Sequence, residues 1–145
     1  MPLQTIFTDK VTKVGTTQLY PLGTKRIEGG KMYKYTKAGG TIAADAACQA
    51  SALGTVLLFA GVGPGCGFNA TGSALAANDY FWMQTHGEVE GLNTDALTAV
   101  GYPVGITDAD GTTIGAPGAG VTTFGNTVCA VKHASAGIIY LSGLS

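Results

Sequence analysis

Short apolar runs of strand length recur along this chain, most of them closed by a glycine-bearing turn, and none leads into a convincing helical stripe. Met32-Tyr33-Lys34-Tyr35-Thr36-Lys37 puts Tyr33 and Tyr35 on one face and Met32, Lys34 and Thr36 on the other, the period of two that a strand imposes. Thr55 to Ala60 is a continuous apolar run of the same length. Asp79-Tyr80-Phe81-Trp82-Met83-Gln84-Thr85-His86-Gly87 is the strongest strand signal, with large side chains on both faces. Glu88 to Leu92 is expected to continue it past a kink or bulge at Gly87. Asp110-Gly111 is a hairpin signal, and Val128 to Val131 with Ile138 to Leu141 reads as a closing pair of strands. Strands at turn spacing without a strand-then-helix rhythm predict an all-β fold, a small Gly-rich β-barrel or β-sandwich with short loops. The exception is Ile42 to Leu53, where alanines favour a helix on propensity alone.

One echo runs through the sequence. Gly40-Thr41-Ile42-Ala43-Ala44-Asp45 resembles Ser73-Ala74-Leu75-Ala76-Ala77-Asn78-Asp79, each placing a polar residue after a hydrophobe and two alanines. Two occurrences without a fixed period do not make a repeat protein; they read as similar corners of one barrel.

The 145 residues fit one domain, 20–145, preceded by an extended N-terminal arm, 1–19. The arm is polar and Thr-rich, with an apolar cluster at Leu3, Ile6 and Phe7. It is expected to drape over a neighbour, or else to serve as a first edge strand. Only 12% of residues are charged, about half the usual share. A surface so poor in charge suits a protein that is largely covered by partners.

A net charge of −1 with no basic cluster beyond Lys25-Arg26 excludes an electrostatic footprint for nucleic acid or an anionic membrane. The first residues carry no secretory pattern, so synthesis in a cytoplasm is expected. Cys48, Cys66 and Cys129 stand far apart, forming neither a CxxC pair nor a zinc pattern with His86 or His133; they are expected to be small buried thiols. Glycines at 61, 63, 65 and 67 superficially suggest a nucleotide loop. The helix such a loop must open is missing, and no Gly-Lys-Ser/Thr follows. Asp108-x-Asp110-Gly111 lacks the other ligands of a calcium loop. His86 with Glu88 or Cys66 is the most that a hydrolase could use, and a polar strand end explains His86 better. No enzyme, cofactor or metal site is expected.

Leu22-Gly23-Thr24-Lys25-Arg26, then Gly30 to Gly40, then Ala76-Ala77-Asn78-Asp79-Tyr80-Phe81-Trp82-Met83-Gln84-Thr85-His86-Gly87 resemble small virion proteins of tailed bacteriophages, the capsid decoration or cement proteins. The shared elements are a turn, a Tyr-x-Tyr strand with Lys-Ala-Gly, and a later Trp-x-Gln-x-x-Gly strand, within roughly residues 20–92. The resemblance implies a β-barrel or sandwich on the capsid exterior, often a trimer, whose partners are the major capsid protein and its own copies. Leu3, Ile6, Phe7, Tyr80 and Trp82 are then candidate contacts. The alternative is a carbohydrate- or receptor-binding module of a tail or fibre, which would display Tyr80, Trp82 and Tyr102 as open stacking rings.

Overall fold

The structure is a computed structural model; it describes residues 7–59, 65–94, 103–106, 113–115, 122–131 and 137–141, with side chains for 7–59 and 66–89. Leu3, Ile6, the Asp110-Gly111 turn, Tyr102, His133 and the loop 60–64 lie outside the described residues, as does the Cys129 side chain.

The described residues form ten strands and no helix. They are β1 (Lys25–Glu28), β2 (Lys31–Ala38), β3 (Ala47–Ala52), β4 (Thr55–Leu58), β5 (Gly65–Phe68), β6 (Tyr80–Thr94), β7 (Pro103–Ile106), β8 (Thr113–Gly115), β9 (Thr122–Val131) and β10 (Gly137–Leu141). Pairing runs β2-β4-β3-β5-β6 and returns from β6 to β2, closing a five-stranded β-barrel with β1 as an extra strand on β2. Closure leaves no open edge among those five strands.

The helix expected over Ile42 to Leu53 is not formed. Ala47–Ala52 is β3, flanked on one side by β4 and on the other by β5. Ala46, Ala47 and Cys48 are completely buried. Alanine's helix preference amounts to tenths of a kcal/mol per residue, and two strand ladders that demand small inward residues outweigh it.

The echoed segments are equivalent corners. Ala46 N–H donates to the Ala43 carbonyl at 3.4 Å, and Asp79 N–H to the Ala76 carbonyl at 3.2 Å. Asp45 (φ 59°) and Asn78 (φ 72°) hold the third position of these turns, and are the only non-glycine residues with positive φ among the described residues. A turn with positive φ at that position accepts Asp or Asn when it lacks Gly. The corners also bind each other, through Ile42 N–H to the Leu75 carbonyl (3.0 Å) and Leu75 N–H to the Ile42 carbonyl (2.8 Å).

The sidedness of β6 organises everything else. Phe81 and Met83 point into the barrel with Ala38, Ile42, Cys48, Val56, Cys66 and Leu75. Trp82, between them in sequence, faces outward with Tyr33 and Tyr35. A bulge opposite Met32–Tyr33 and a positive φ of 98° at Gly87 turn the strand aside, as the glycine kink predicts. The buried Gln84 amide donates across this kink to the carbonyls of His86 (3.3 Å) and Glu88 (2.8 Å). Up to His86 the strand pairs with β2; from Gly87 onward it pairs with β10. Beyond that point the ladders β6-β10-β9-β7-β8 also return to β6. The closing pair of strands expected from the sequence is β9 and β10, and they run antiparallel.

Candidate functional site

The outward face of β2 and β6 is a cluster of rings with a strap across it. Phe7, Asp9 and Val11 fall at alternate positions in the N-terminal segment, and all three turn toward the barrel of their own chain. The strap is tied at Gly15, which exchanges two backbone hydrogen bonds with Tyr80, at 3.1 and 2.7 Å. Farther on, Leu19 N–H donates to the Tyr35 hydroxyl at 3.1 Å.

Trp82 is the hub. Its ring centroid lies 5.0 Å from Tyr35, 5.2 Å from Phe7 and 5.3 Å from Tyr20. The Phe7 contact is edge-to-face at 89°, the arrangement the ring quadrupole prefers. Tyr80 stacks on Tyr35 at 6.1 Å, with the Lys37 ammonium 5.8 Å from its ring centre.

Asp9 locks the strap. Its Oδ1 accepts from the Tyr20 hydroxyl at 2.6 Å and its Oδ2 from the Trp82 indole at 3.0 Å. The Arg26 Nη1 stands 3.6 Å from Oδ1, and both side chains are 7% exposed. Arg26 also donates to Glu28, and its guanidinium lies 4.9 Å over Phe7 and 5.4 Å over Trp82. Burial works against the Asp9 carboxylate. The hydrogen bonds from Tyr20 and Trp82 and the charge of Arg26 overcome it, holding the pKa below the ordinary carboxylate value. The same hydrogen bond to Asp9 is the main cause that raises the Tyr20 phenol above its ordinary value.

Of the expected contact residues, Phe7, Tyr80 and Trp82 therefore meet at one place, and Trp82 is completely buried there by its own chain. Asp9, Tyr20 and Arg26 complete the cluster without having been singled out. The usable signal was the alternation Phe7-x-Asp9-x-Val11 within an otherwise polar arm.

Beside the strap lies a cavity of about 220 Å³, lined by Asp9, Lys13, Thr16, Leu19, Tyr35 and Tyr80 among others. No group of three or more His, Cys, Asp or Glu side chains able to hold a metal occurs among the described residues. Cys48 and Cys66 are free thiols inside the barrel. Burial pushes Cys66 up to about 12 and Cys48 well above its ordinary value, so both are protonated near neutrality and poor nucleophiles. No helix among the described residues is long and apolar enough to cross a membrane. No family model matches the chain, and no curated protein matches it.

Proposed function

We propose that this chain is a structural virion protein that binds the outside of a phage capsid and stabilises the expanded shell by bridging capsomers, without catalysis. The observation that carries the choice is the fate of the rings. A glycan- or receptor-binding platform needs ring faces open to solvent, whereas Tyr35 is 3% and Trp82 0% exposed beneath the strap. Aromatics spent on a rigid barrel suit a protein whose work is contact between subunits. The small share of charged residues supports the same reading.

The mechanism is linkage. A clamp that binds only the expanded lattice stabilises that state by mass action, and many copies around a closed shell turn modest contacts into firm retention. The partners are the major capsid protein and further copies of this chain, as a trimer on the lattice. With Phe7 and Trp82 committed to their own barrel, Leu3 and Ile6 remain the apolar contacts proposed for the shell, with Tyr80 beside them in the reading.

The test is co-sedimentation with expanded and unexpanded shells of the phage that encodes the chain. Retention on expanded shells alone is expected, weakened when residues 1–6 are deleted. Equal binding to both shells, or to neither, contradicts the proposal. A receptor-binding role is the second reading, favoured by the cavity beside half-buried Tyr80; saturable glycan binding by the isolated protein would move the assignment there.

A further inference from the structure

β1 leaves one edge of the sheet open. Among the described strands it pairs with β2 alone, outside the closed barrel. Gly29 and Gly30, with φ of 59° and 76°, make the two-residue turn that joins β1 to β2, and positive φ at both positions is the type I′ geometry of a tight hairpin. Such a turn closes on a hydrogen-bonded pair, here Glu28 with Lys31, and bonding then alternates along the ladder. Arg26 is therefore bonded to Tyr33, and Tyr35 N–H donates to the Thr24 carbonyl at 2.8 Å in the same phase. Lys25 and Ile27 are left to direct their N–H and C=O groups away from β2, along the free edge.

Open edges are commonly blunted by a bulge or by charge along their length. The register of β1 on β2 is unbroken. Its only guards are its brevity and Lys25 at one end, and the next residue to offer its backbone outward is Ile27, 75% exposed. Side chains alternate about that backbone. Arg26 and Glu28 share the aromatic face, where Arg26 donates to Glu28 and lies over Phe7 and Trp82. Lys25 and Ile27 share the other.

This pattern complements itself. An antiparallel copy of the strand, placed so that Ile27 meets Ile27, sets Glu28 of each chain opposite Arg26 of the other. The two Arg26–Glu28 pairs then form a square in which each neighbour carries the opposite sign. On the far face the two isoleucines cover one another, and Lys25 stands across from Gly29. Sliding the copy by two residues either way sets Arg26 against Arg26 or Glu28 against Glu28, which like charges oppose.

We propose that β1 is a docking edge for β1 of a second copy of this chain, paired antiparallel about Ile27. The contact is two-fold, so it is separate from the trimer of the virion reading and stands without it. Strands of four residues bury too little surface for permanent association, and the pair is a weak, exchanging one.

Sedimentation velocity on the full chain is expected to show monomer and dimer in exchange between about 0.1 and 1 mM. Over the same range the amide NMR signals of Lys25 and Ile27 should shift and gain protection from exchange, whereas Arg26 and Glu28 are protected throughout. Ile27→Lys, at an exposed position, is expected to keep the chain monomeric with Trp82 emission unchanged. Glu28→Gln removes the cross-strand charge and is expected to weaken dimerisation about fivefold, and added salt should weaken the wild-type dimer likewise. A monomer at every concentration, or a self-association that Ile27→Lys leaves intact, overturns the proposal. So does a dimer whose concentration-dependent shifts fall on other strands.

Discussion

Asp9 ties together three side chains of the aromatic face, Tyr20, Arg26 on β1 and Trp82 on β6, the last 73 residues away in sequence. Its folded pKa lies below the ordinary value, so the stability it contributes is present above the unfolded carboxylate pKa. That stability is lost as pH falls through the folded pKa, which places the loosening of the strap below about pH 4. Trp82 is the only tryptophan and is buried beneath the strap, so its emission reports the event directly. We expect a red shift on acidification. Asp9→Asn should destabilise the protein by about 2 kcal/mol at neutral pH, through weakened charged hydrogen bonds, and should flatten the acid response, as read by urea unfolding at several pH values. Phe7→Ala, removing a half-buried ring, should cost about 2 kcal/mol in the same assay. None of this network was legible from composition. A single carboxylate in a polar arm carries no signal of its own, and its partners are set by the fold.

At the scale of elements, the strands with strong period-two patterns were legible and the alanine-rich stretch was not. Tyr33 and Tyr35 share a face because the alternation in β2 is unambiguous. Ala47–Ala52 misleads because its small side chains suit a helix and a crowded barrel interior equally, and only the flanking ladders decide. The paired corners were visible as an echo, since Asp45 and Asn78 are the residue types that accept positive φ. Replacing Asp45 or Asn78 with Ala should cost about 1 kcal/mol each in thermal or urea unfolding. Gly67 marks the tightest crossing among the described residues: a Cβ there would stand 2.5 Å from the Gln84 carbonyl oxygen and 2.7 Å from Met83 Cγ. Gly67→Ala should therefore destabilise the barrel by about 2–3 kcal/mol, measured the same way, because β5 must withdraw from β6.

Among the described residues, the five-stranded barrel carries an aromatic face on β2 and β6 that is covered by the chain's own N-terminal segment. All-β architecture followed from the rhythm of strands and turns, which is a local property. Whether the rings of β6 face a partner or their own chain is not local, because Tyr80-Phe81-Trp82 reads the same in either case. Deletion of residues 1–19 should bare Trp82, shift its emission to the red and lower the unfolding temperature, whatever the particle-level role. That role rests on the virion proposal, and the copy number of this chain in purified particles tests it most directly, by quantitative mass spectrometry against the most abundant shell protein. The account predicts a number comparable with the shell protein or a simple fraction of it. A few copies per particle would place the chain on a tail or vertex, and absence from particles would contradict the proposal outright.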